Sequence, residues 1–231
     1  MTAYIAVAQP NGVHLLSDGA GVDPKGYVTH FTSKPHLFPK LRLGVAVTGT
    51  MDGALRWVHD DMAEAAPASL DNAIAILPCL AHGIAGRNKA DGQRDPHILA
   101  LAACWHPERG PALFATATGP IAQRHGWKPG QIVRLAAWMG SCSEPSAILG
   151  RAVTVDDPAS FDPATDGLAL MEYERRTPAD ADLWGGASDR YTVGGFVELT
   201  TIGPAGIEQR RLKDWSEDRV RRRIVPRRMA A

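Results

Sequence analysis

The sequence predicts a layered α+β domain built on antiparallel sheets. Three observations carry this. Apolar, β-prone runs come in consecutive pairs joined by turn residues. Helix-period segments are grouped between those pairs, with no strict strand–helix alternation. No internal repeat, low-complexity stretch or domain linker interrupts the 231 residues, a length that suits one large domain with a substantial core.

In chain order, TAYIAVAQ, a Pro-Asn-Gly turn and VHLLSD predict an opening hairpin. A loop containing Gly19, Gly21, Pro24 and Gly26 leads to YVTHFTS, a strand. Pro35 then holds Lys34 extended. LRLGVAVTG is apolar and too short for a helix, so it reads as a buried strand. Leu55, Val58, His59 and Met62 recur at helical spacing after Asp52, a suitable N-cap. A second helix is expected from Ser69 through Leu77 to Ile84, kinked at Pro78.

RNKADGQRDP is a polar loop, and strands return at HILALAACW, ALFATATG and IVRLAAWMG. SEPSAILGRAV predicts a short helix. A weaker helical pattern in ASFDPATDGLALMEYERR turns Leu168, Met171 and Tyr173 inward. YTVGGFVELTTIG and IEQRRL form a final hairpin. The domain spans residues 2–215, and residues 216–231 make a basic tail containing RVRRRIVPRR. That tail reads as a solvated segment, with a nucleic-acid contact as the alternative.

Lys plus Arg (25) balance Asp plus Glu (25), so no global field draws the chain to nucleic acid or membrane. Neither a signal peptide nor a membrane-length apolar run is visible, and the three separated cysteines form no disulfide framework. These features predict a cytoplasmic protein. The eight histidines are scattered without metal-ligand spacing, so neither metal nor other cofactor is expected. A phosphate loop, a GxGxxG turn and a GxSxG elbow are all absent from the sequence.

Thr2, Asp18 and Lys34 remain as a grouping with chemical meaning. Once Met1 is removed, Thr2 carries a hydroxyl and a free α-amine, which is a nucleophile with its base built in. The amine's ordinary pKa of about 7.7–8.0 leaves it partly neutral near neutral pH, able to accept the hydroxyl proton. Lys34 supplies positive charge that eases this loss, and Asp18 orients Lys34. The Thr48–Thr50 turn would aim the Gly49 amide at a developing oxyanion. Each residue also has a plain structural role open to it: turn former, solvated lysine, strand-to-helix glycine.

The pattern resembles proteasome β-subunits and their bacterial relatives, which are N-terminal-nucleophile (Ntn) hydrolases. Thr2, Asp18 and Lys34 keep two successive spacings of 16, and GVHLLSD and VAVTGT match the family's strands. WMGSCS resembles the Gly-Ser-Gly motif and implies Ser141 as the serine beside the nucleophile. DRYTVGG resembles Asp-x-x-Ser-Gly-Gly and implies Asp189 and Thr192.

Gly19 stands where the family has a basic residue, Cys142 replaces a glycine, and Val193 is inserted. The resemblance implies a four-layer αββα sandwich of two antiparallel sheets with helices outside. It also implies a threonine peptidase acting on peptides or proteins, homo-oligomeric and ring-forming, with an ATP-driven unfoldase as partner. Substrate preference would then sit near the oxyanion turn, at Val47 and Met51. The alternative is the same fold used as a non-catalytic structural or interaction module.

Overall fold

The computed structural model describes residues 3–23, 25–49, 54–90, 97–140, 144–153, 157–179 and 190–226. The opening hairpin forms as its sequence dictates. β1 (Tyr4–Gln9) and β2 (Gly12–Asp18) pair in register from Tyr4 opposite Ser17 to Gln9 opposite Gly12. β3 (Ala20–Val22) and β4 (Val28–Phe31) form a two-stranded ribbon. β5 (His36–Phe38) and the apolar β6 (Leu43–Gly49) follow.

The helical segment comprises α1 (Ala54–Ala65), α2 (Leu70–Ala75) and α3 (Leu77–Ala90). Ser69 caps α2 by accepting from the Asn72 amide. The break expected at Pro78 falls at Ile76, leaving the proline in the first turn of α3, where its missing N–H costs least. Asp52, expected to cap α1, lies outside the described residues.

β7 (Ile98–His106) and β8 (Gly110–Ala117) form a long hairpin, followed by α4 (Gly119–Arg124), a short helix for which the sequence gives little periodicity. The run expected as one strand, IVRLAAWMG, divides into β9 (Val133–Leu135) and β10 (Ala137–Trp138). β9 pairs with β8 and β10 with β1, so this segment passes from one sheet to another. α5 (Pro145–Leu149) and α6 (Thr165–Arg176) precede the final hairpin of β11 (Phe196–Gly203) and β12 (Gly206–Asp214). On α6, Gly167, Leu170, Met171, Glu174 and Arg175 are buried at helical spacing, and Tyr173 points to solvent, contrary to expectation.

The described strands make three antiparallel sheets: β10-β1-β2-β11-β12, β5-β6-β7-β8-β9 and the ribbon β3-β4. This corrects the expected four-layer αββα sandwich of two sheets. β3 and β4 pair only with each other, across a turn in which Gly26 has φ +84°, so the segment after β2 forms its own ribbon and joins neither large sheet. Tyr4, Leu15, Leu99, Leu101 and Leu113 make the core between the large sheets. Leu43, Val45 and Val47 pack with Met62, Leu77 and Ile84 in a second cluster. Ile5 and Leu16 pack with Phe161, Leu170 and Met171 in a third.

The chain after β12 returns to the ribbon. Val28 donates to the Arg222 carbonyl (2.9 Å), Arg221 donates to that of Val28 (2.7 Å), and Ile224 is buried against Ala20 and Val28. The described part of the segment read as a basic tail is therefore anchored to the ribbon, with Asp218 and Ile224 buried and most of its other side chains exposed.

Candidate functional site

Asp18 ends β2 with its side chain fully buried. An ionised carboxylate survives such a place only when its oxygens are engaged by donors. Four donors do this. Lys34 Nζ (2.6 Å) and the Ala3 amide (3.2 Å) donate to Oδ1. The amides of Ala20 (3.2 Å) and Gly194 (3.1 Å) donate to Oδ2.

Lys34 is 2% exposed and lies in the link between β4 and β5, at the crossing from the ribbon to the second large sheet. The pair thus ties all three sheets at one point, helped by the Thr32 amide donating to the Gly19 carbonyl (2.9 Å). Loss of water around Lys34 pulls its pKa below the ordinary lysine value, and the Asp18 carboxylate opposes that effect.

The Gly194 amide reaches Asp18 because the chain before β11 turns tightly. A Cβ on Gly194 would lie 2.6 Å from Asp218 Oδ2 and 2.7 Å from Ile224 Cδ1. Gly195 has φ +78°, and a Cβ there would meet the Phe31 ring at 2.6 Å. A side chain at either position would have to displace these groups, and the positive φ of Gly195 favours glycine in its own right. Behind the turn, Arg175 makes a bidentate pair with Asp218 (2.9 and 2.8 Å), donates to the Val193 carbonyl (3.0 Å) and stacks on Trp215. Asp218 Oδ2 also accepts from the Gly195 amide (2.7 Å).

Asp18 and Lys34 are therefore brought together, with Ala3, the residue after Thr2, on the same carboxylate oxygen. Thr192 is buried two residues before Gly194. Gly49 ends β6 with φ +142°, where a Cβ would overlap the His97 carbonyl, so the position demands glycine. Val47 is fully buried in the cluster with Val58 and Met62. Thr2, Met51, Ser141 and Asp189 lie outside the described residues. Among the described residues, no group of three His, Cys, Asp or Glu side chains is placed to hold a metal ion.

Sequence reasoning missed Arg175 and Asp218. They are 43 residues apart and belong to charged stretches that look solvated, so no local pattern joins them. Gly19 also gains a physical account. The Phe196 ring, itself covered by the Arg211 guanidinium, fills the space a side chain would need there.

No protein-family model matches the chain. No curated protein matches it either. Solved structures do share its fold. Anbu (ancestral beta-subunit) from Yersinia bercovieri superposes with a TM-score of 0.57 at 13% identity, covering 92% of this chain and 87% of that one. A mutant Anbu from Hyphomicrobium sp. strain MC1 gives 0.58 at 13% identity, covering 94% and 89%. Among the described residues, no helix is long and apolar enough to cross a membrane. The resemblance to proteasome β-subunits drawn from the motifs is accordingly corrected: what the chain shares, with Anbu structures at 13% identity, is the fold.

Proposed function

We propose that the chain is an N-terminal-nucleophile hydrolase that cleaves peptide or amide bonds through an acyl-enzyme. One observation carries the proposal: Lys34 Nζ and the Ala3 amide meet on a single oxygen of buried Asp18, tying the start of the chain to an acid–lysine pair.

With Met1 removed, the Thr2 hydroxyl attacks the substrate carbonyl and its proton passes to the α-amine. The Lys34 ammonium favours the forming alkoxide, and Asp18 holds Lys34 in place. The Gly49 amide receives the oxyanion. Collapse expels the amine leaving group, which takes the proton, and leaves an ester on Thr2. Water, held by Ser141 and Asp189 and activated by the α-amine, then releases the acid. Assembly into a homo-oligomer and delivery of substrates by an ATP-driven unfoldase belong to the same proposal.

The alternative is a non-catalytic module of the same fold. It is favoured by the sealing of the Asp18–Lys34 pair, which is well placed to act as a purely structural tie. Intact mass and labelling with a threonine-directed electrophile separate the two. The hydrolase account expects a chain lacking Met1, labelled once at Thr2, and no labelling of Thr2→Ala. Quantitative retention of Met1, or equal turnover in Thr2→Ala, sinks it.

A further inference from the structure

We infer that the Arg175–Asp218 ion pair is a positioning device for the candidate site: it locks the Gly194–Gly195 turn so that the Gly194 amide stays on Asp18. This rests on the proposed role of Asp18 and Lys34 and extends it to two residues that touch neither substrate nor reacting atoms.

The connection is continuous. Arg175 projects from the buried face of α6 and grips Asp218 with both terminal nitrogens, at 2.9 and 2.8 Å. Asp218 Oδ2 takes the Gly195 amide at 2.7 Å, and Arg175 takes the Val193 carbonyl at 3.0 Å. These bonds hold the residues on both sides of Gly194, whose own amide is 3.1 Å from Asp18 Oδ2. Asp18 Oδ1 then carries Lys34 and Ala3.

The pair is buried, with side chains 3% and 2% exposed, so removing one partner strands the other away from water. A pair serving only stability could sit anywhere in the core. This one is bonded to the backbone of a tight turn, where a Cβ on Gly194 would press on Asp218 itself and Gly195 has a positive φ. The segment carrying Asp218 also packs on the β3–β4 ribbon through Arg221, Arg222 and Ile224. The C-terminal segment therefore sets the carboxylate environment at the other end of the chain.

Breaking the lock relaxes the turn and lets water reach Lys34. Loss of water is the main reason its pKa is depressed, so its titration should move up, with Asp18 the charged group facing it. The experiment compares wild type, Asp218→Asn, the milder Arg175→Lys, and Ile84→Ala, a remote core variant that loses stability without touching the turn. Two readouts are followed by NMR: titration of the Lys34 side chain and hydrogen exchange of the Gly194 amide.

Both turn variants should raise the Lys34 titration by about half a unit or more and speed Gly194 exchange about tenfold or more. Ile84→Ala should leave the titration unmoved. Unchanged titration and exchange in Arg175→Lys overturn the inference. So does an equal response in Ile84→Ala, and so does collapse of both turn variants when wild-type Gly194 exchanges as fast as an open loop. Neither readout uses turnover, so an inert Thr2 would defeat the hydrolase proposal and leave the positioning result standing.

Discussion

Replacing Asp18 by Asn tests how the buried pair works. The substitution preserves shape but removes the charge facing Lys34 and leaves one acceptor oxygen for four donors. Removing one partner of a buried pair typically costs about 3–5 kcal/mol. An independent ceiling comes from the lysine. Lys34 can escape by losing its proton, which at pH 7 costs no more than the distance to an ordinary lysine pKa, about 4.6 kcal/mol.

The ceiling trims the upper end of the range, so about 3–4.6 kcal/mol is expected at pH 7. Two pH units higher the escape is cheaper by about 2.7 kcal/mol, and the penalty should shrink by up to that amount. The sign follows from linkage. A lysine whose folded pKa is lowered binds fewer protons folded than unfolded between the two values, so stability rises with pH through that window.

Lys34→Met should cost less, about 1–3 kcal/mol, because Asp18 keeps three backbone amides. Urea unfolding of wild type and both variants at pH 7 and 9 measures all of this. An Asp18→Asn penalty below about 1 kcal/mol, or one that grows at pH 9, would refute the reasoning.

Two further outcomes are expected. Burial pushes the Cys104 thiol up to about 11, so at pH 8 roughly one thiol in a thousand is ionised. Native alkylation mapped by mass spectrometry should therefore mark exposed Cys79 and spare Cys104, and comparable rates would contradict the packing around β7. Gly19→Ala should destabilise the fold by about 1–3 kcal/mol by driving a methyl into the Phe196 ring. In a double-mutant cycle with Phe196→Ala much of that loss should vanish, and strict additivity would show that the ring is not the obstacle.

Local chemistry made much of the molecule legible. The Pro-Asn-Gly turn between apolar runs specifies the first hairpin, and Ser69 marks the start of α2. Asp18 and Lys34 stood out as an acid and a base at the ends of neighbouring strands, and the family resemblance gave their spacing its meaning; the two form an ion pair. Tyr173 was misplaced because it lies two residues beyond Met171, nearly the opposite side of a helix, and Leu170 belongs to the inward stripe instead.

The division of IVRLAAWMG between two sheets was also hidden, because pairing partners far along the chain decide where a strand bends. The same holds for the third sheet, a ribbon closed partly by a C-terminal segment whose charges resemble a solvated tail.

Sequence alone determined the hairpins and the main helices, since these depend on residues within a turn or two, and it offered the acid–lysine pair through strand order and a family resemblance. Only the tertiary structure decided that Asp18 is sealed by Ala3, Ala20, Gly194 and Lys34, and that Arg175 and Asp218 stand behind the turn. A buried carboxylate is tolerated where donors converge from several distant elements, and that convergence is a property of packing that no local run of residues encodes.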